Sequence, residues 1–245
     1  MKRFVIFVAA VLVAGMGLSG HSQQSGTTNA AQKKEQIESR LFSGHNRRTI
    51  PEKLSSTSGD LFIHAHSATI DIPGPANPPP YPPYRLVGMA CDADAVVLAT
   101  AGLSATHMTE DKTFLYSDWT FATNEVLKNN AIAAISSGAE ITVARLGGTM
   151  KISERTIYAI HDDFAAFRSR DQYLLFLEFI PGTGDYKVTE ENAFRIAGPK
   201  VAHLTREPLL PQEEARGSQS LLVDARAAVA AAAKNPYCAE GAKHP

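Results

Sequence analysis

The sequence predicts a mainly β domain, a sandwich or small barrel, followed by one α-helix and preceded by a long proline-rich segment. Three observations predict it. Between residues 86 and 200 the apolar side chains fall in about six short runs rich in β-branched and aromatic residues, with turn signals between them. Ser218 to Lys234 places Leu221, Leu222, Ala225, Val229 and Ala232 on one helical stripe, and its alanines favour helix intrinsically. Asp71 to Tyr84 (DIPGPANPPPYPPY) carries seven of the chain's 14 prolines. Proline locks its own φ and disfavours helix in the residue before it, so that stretch reads as extended polyproline II, a stiff spacer.

At the start of the chain, Met1-Lys2-Arg3 is a short cationic segment. Phe4 to Leu18 is an uncharged apolar run, short for a spanning helix, which needs about 20 residues. This is the pattern of a signal peptide, residues 1–22. Small residues at Gly20 and Ser22 place the cut after Ser22, and an uncleaved anchor is the alternative. No further run is long enough to span a bilayer, so no membrane span is expected after leader removal.

Residues 23–85 read as a flexible, disordered tether: Gln23 to Ala31 is rich in Gln, Ser, Thr and Asn. Within it, Lys33 to Phe42 can form a short helix, and Leu61-Phe62-Ile63 with Ala68-Thr69-Ile70 can add an edge strand. The β domain, residues 86–200, begins with Ala95 to Thr100, followed by a polar loop, Ser104 to Lys112. In Thr113 to Lys128 the alternation changes phase between Phe114/Tyr116 and Trp119/Phe121, which predicts a bulge. Glu140 to Leu146 alternates cleanly and ends at Gly147-Gly148. Thr149 to Ser153 and Thr156 to Ile160 complete a ribbon. Gln172 to Ile180 is apolar on both faces, as in a central strand covered on each side. Tyr186-Lys187-Val188 and Ala193 to Ile196 supply the last strands. Residues 201–245 are a linker and the C-terminal helix.

The chain has two cysteines, Cys91 and Cys238. In an exported protein such a pair reads as a disulfide, with two unpaired thiols as the alternative. Lys and Arg number 24 against 25 Asp and Glu, so no basic field points to nucleic acid.

The ordered series Cys91 to Thr100, Glu125 to Lys128, Gly138 to Val143 with Gly147-Gly148, and Gln172 to Leu177 resembles exported bacterial domains whose fold is like the N-terminal domain of the tissue inhibitors of metalloproteinases. The resemblance covers roughly residues 91–196 and implies a small OB-like, five-stranded Greek-key barrel. Their inhibitory chemistry does not carry over. It depends on a free N-terminal cysteine, and the amine of Cys91 is an internal amide.

Candidate chemistry is sparse. His64-Ala65-His66 puts two imidazoles on one side of an extended segment, but two ligands do not close a metal site, so none is assigned. His161-Asp162-Asp163 follows an apolar strand and reads either as an acid–base set or as a polar turn. Ser43-Gly44-His45 sits in the tether, with nothing to hold the pair. GxSxG, P-loop and HExxH patterns are absent from the sequence. Tyr116, Trp119 and Phe121 offer a stacking face for a ligand, although aromatics at strand spacing more often build a core. No catalytic or cofactor-binding residues are assigned and no cofactor is expected. The expected function is an exported (periplasmic or secreted), non-enzymatic binding module for an extracellular or periplasmic protein or glycan. The alternatives are an exported hydrolase-like enzyme using His161 with Asp162 or Asp163, and a structural envelope protein.

Overall fold

The computed structural model describes residues 24–66, 83–189, 192–204, 217–236 and 238. Their elements run in chain order as α1 (Gln24–Leu41), α2 (Ile50–Ser56), β1 (Leu61–Ala65), α3 (Pro83–Asp92), β2 (Ala95–Met108), β3 (Leu115–Lys128), β4 (Glu140–Leu146), β5 (Gly148–Ile152), β6 (Arg155–His161), β7 (Gln172–Phe179), β8 (Tyr186–Lys187), β9 (Ala193–Ala197), β10 (Lys200–His203) and α4 (Ser218–Ala232). The fold is mainly β with a C-terminal helix. The leader, Ala68 to Ile70, the prolines of residues 71–82 and most of the 201–217 linker lie outside the described residues.

Seven strands form one sheet in the order β10-β9-β7-β2-β3-β4-β8, and β8 also pairs with β7. The hydrogen-bonded path β7-β2-β3-β4-β8 therefore returns to β7. Its pairs are antiparallel except β4 with β8, which is parallel. Alternation along these strands divides the apolar residues between two sides. Val97, Ala99, Phe121, Val143, Tyr173, Leu175, Leu177 and Tyr186 share one buried cluster. Val96, Leu174, Phe176 and Phe194 pack instead with Met89 of α3 and with Ala225 and Ala228 of α4. β7 is thus covered on both faces, as its apolar run predicts. Cys91 at the end of α3 is disulfide-bonded to Cys238 across 147 residues of sequence, so the C-terminal segment is tied to the helix that opens the sheet.

The second sheet is small, in the order β1-β6-β5. Gly147 and Gly148 are the corner through which the chain leaves the large sheet for the small one. Gly147 has φ +98°, and a Cβ on Gly148 would lie 2.2 Å from Ser117 Oγ, so only glycine fits this crossing. β5 and β6 form the expected ribbon. β1 joins β6 in parallel at the edge, with Ala65 opposite His161.

Three expectations are corrected. The segment 23–85 is not simply a tether: its described part, residues 24–66, folds into α1, α2 and β1. Phe42, Ile50, Leu61, Ile63 and Ala65 are buried there with Tyr116, Ile157 and Ala159. These side chains are too few to form a core of their own but enough to seal one already supplied by a sheet. The polar stretch Ser104 to Met108 is the second half of β2, paired with β3 as far as Leu115, and not a loop. β3 carries extra residues nearer its end, where Val126 and Lys128 face Val97 and Val96 and Thr123 and Glu125 face Ala99 and Leu98, but at the expected change of phase the extra residue is in β2. Ala101 faces Phe121 and Ser104 faces Trp119, three steps against two. The change of phase in β3 also has a second cause: Phe114 and Tyr116 enter the cluster under the small sheet, whereas Phe121, with Trp119 against it, enters that of the large sheet.

Candidate functional site

Where the small sheet crosses the large one, a cleft of about 780 Å³ opens. One wall is the bend of β2 and β3, with Ser104, Thr106, Ser117 and Trp119. The other is the β5–β6 ribbon, with Thr149, Lys151, Tyr158 and Ile160. His161, Asp162 and the turn beyond β6 close one end. The size lies within the range of small-molecule sites, about 300–1,000 Å³.

The floor is held by Arg145, which is 4 % exposed. Its Nε donates to Leu146 O at 3.2 Å, Nη1 to Ala165 O at 2.7 Å and Nη2 to Phe164 O at 2.8 Å, with the guanidinium 4.0 Å above the Phe164 ring. This buried cation thus fixes the turn after β6 through carbonyl oxygens. Beside it Ser117 Oγ donates to Gly147 O at 2.6 Å and lies 3.1 Å from Thr106 Oγ1, tying the corner to both long strands.

At the end of the cleft the fold brings together two sequence candidates that lie far apart in the chain. Because β1 runs parallel to β6, Asp162 N donates to Ala65 O at 2.9 Å, and its carboxylate comes between the imidazoles that flank Ala65. His64 Nδ1 is 2.9 Å from Asp162 Oδ1 and His66 Nε2 is 3.2 Å from Oδ2. An ionised carboxylate only accepts, so imidazole nitrogens facing one act as donors. Asp162 is 9 % exposed. His161 lines the cleft and meets Phe164 edge-on at 6.2 Å, while Asp163 sits in the turn beyond and is not part of the lining.

The three aromatic candidates separate. Tyr116 and Phe121 are fully buried, Tyr116 between the rings of Phe42 and His107, Phe121 against Phe167 and Tyr173. Trp119 reaches the cleft, because its position follows the β2 bulge. Ser43 and His45 do not form a pair: Ser43 Oγ donates to Ser39 O at 2.7 Å, and the His45 ring rests on Phe114. Among the described residues no group of three or more His, Cys, Asp or Glu side chains is placed to hold a metal ion. Nor is any helix among them long and apolar enough to cross a membrane.

A charged cluster lies beneath α1, on side chains that carry no motif. Lys34 Nζ pairs with Asp185 and lies 3.9 Å from Asp118 Oδ2, and His107 Nε2 is 3.4 Å from the same oxygen. The Asp118 carboxylate beside it raises the His107 pKa. Glu38, 1 % exposed, has its carboxyl pushed up to about 9 by burial first, then by the negative charge of Asp118 and a hydrogen bond with Asp185. It is therefore protonated at neutral pH.

No protein-family model matches the chain, and no curated protein does.

Proposed function

We propose that the chain is an exported, non-enzymatic binding module whose ligand occupies the cleft between the two sheets. The cleft is the observation that carries this reading: it joins a partly buried tryptophan, a row of hydroxyls and an arginine-braced floor. Such bracing lowers the ordering cost of binding. The apolar run Phe4 to Leu18 supports export, and the Cys91–Cys238 pair is suited to an oxidising compartment. An OB-like barrel, as in the exported domains the sequence resembles, is supported by the five-strand path that returns to β7. The test is capture from the envelope fraction of the source cell by the mature chain, residues 23–245, with a Trp119→Ala, Tyr158→Ala double variant as control. A partner that depends on the cleft supports the module. Equal capture by both proteins refutes it.

A hydrolase-like reading using His161 with Asp162 or Asp163 gains one specific observation, the contact of His64 Nδ1 with Asp162. A carboxylate-oriented imidazole is the arrangement of a general base. Loss of turnover of an extracellular ester or peptide substrate in both His64→Ala and His161→Ala, with folding retained, would select this reading over the first.

A further inference from the structure

The cleft also carries information about what it would hold, through the shape of its walls and the charges already spent inside it. Tyr158 stands between two cross-strand neighbours, Phe62 on β1 and Thr149 on β5. The Phe62 ring stacks on it with centroids 4.8 Å apart and planes 11° apart. One face of Tyr158 is therefore covered and braced, and its β5 side borders the cleft. Phe62 is itself 59 % exposed, a large apolar ring kept at the surface where its one evident role is this bracing. The opposite wall presents Trp119, the chain's single tryptophan, held edge-on against Phe167 at 5.7 Å.

The polar lining is mostly hydroxyl. Ser104, Thr149 and Tyr158 each donate and accept, which suits partners that do both. The strong charges are largely answered within the protein. Arg145 gives three N–H bonds to carbonyls, and Asp162 receives both His64 and His66. Lys151 stands exposed at the rim. A multiply charged ligand would find little uncompensated charge, whereas a molecule with apolar faces and a girdle of neutral hydroxyls would be matched throughout.

We infer that the cleft binds a neutral oligosaccharide, with pyranose C–H faces against Tyr158 and Trp119 and sugar hydroxyls exchanging hydrogen bonds with Ser104 and Thr149. This rests on the binding-module reading and names its ligand class.

The experiment is a fluorescence titration of the mature chain, in which the sole tryptophan reports from inside the site. The probes are cello-, chito- and malto-oligosaccharides, with heparin oligosaccharide and an acidic peptide as charged comparisons. A saturable emission change with at least one neutral series is expected. Tyr158→Ala should weaken it tenfold or more and Thr149→Val about threefold, with thermal melting showing that both variants are folded. Silence from every neutral series at millimolar concentration overturns the assignment, as does stronger binding of a charged probe. So does a neutral-sugar response indifferent to both substitutions. If the sugars fail while cleft-dependent capture of a protein partner succeeds, the ligand class is wrong and the module stands. If both fail, the module reading falls with it.

Discussion

Glu38→Gln should make the protein more stable at neutral pH, and the gain should grow as pH rises. In the folded chain the Glu38 carboxyl is 1 % exposed and faces Asp118 of β3 and Asp185 beside β8, with Lys34 on its own helix as the nearby cation. Its pKa rises from 4.5 to about 9. The folded state therefore holds a proton that the unfolded state releases above pH 4.5. Stability from this group is fully present below 4.5 and is lost progressively as pH climbs towards 9. At about 1.4 kcal/mol per pH unit, the loss reaches about 3 kcal/mol at pH 7. Glutamine has nearly the same shape, donates to Asp185 through its amide, and requires no proton. The variant should match the wild type near pH 4.5 and exceed it by about 2–3 kcal/mol at pH 7. Urea unfolding followed by Trp119 emission and far-ultraviolet circular dichroism at pH 4.5, 7 and 8.5 measures both. Parallel pH profiles for the two proteins, or a less stable variant at pH 8.5, would refute the argument that a protonated carboxyl docks α1.

Three further outcomes follow from the packing. Cys91→Ser with Cys238→Ser opens a 147-residue loop and should cost up to about 5 kcal/mol on the chain-entropy account; reduced and oxidised wild-type protein with indistinguishable urea midpoints would contradict it. Arg145→Met leaves the carbonyls of Leu146, Phe164 and Ala165 without these donors and should cost about 3–5 kcal/mol, with Arg145→Lys recovering only part because an ammonium lacks the planar fork; equal melting of the two variants would count against this. Gly148→Ala forces a methyl to within 2.2 Å of Ser117 Oγ and 2.7 Å of Thr106 Cγ2. It should cost about 1–3 kcal/mol and shift Trp119 emission, while Gly138→Ala, at a glycine with open space around it, should leave that emission unchanged.

Legibility varied with the range of the interaction concerned. The first half of β2, with β4, β6 and β7, is readable because burial on one or both faces of a sheet writes a local period. The start of β1 at Leu61 was readable for the same reason, but its partner was not, since nothing near Leu61 names a strand whose first residue is Arg155. Thr49-Ile50-Pro51-Glu52 is a capping box with proline early in the helix, a local signal for α2 inside a segment whose composition argued for a tether. The cleft was legible in fragments: Trp119, His161 and Asp162 from the strands that carry them, but not Tyr158, whose role depends on Phe62 beside it. Glu38, His107, Asp118 and Asp185 show no spacing at all, being drawn from four separate segments.

By itself the sequence determined the strand periodicity and the alanine-rich C-terminal helix, because each depends on residue type or on neighbours within a few positions, and it left each of its two cysteines a single candidate partner within the chain. Tertiary structure alone decided that residues 24–66 would cap the sheet, and that His64 would meet Asp162 across 98 residues. It also decided that the Gly147-Gly148 corner would fold a ribbon back to make a cleft. Local patterns record that a face is apolar; which faces meet is settled only by the packing of the whole chain, where burial and strand pairing are summed over distant segments.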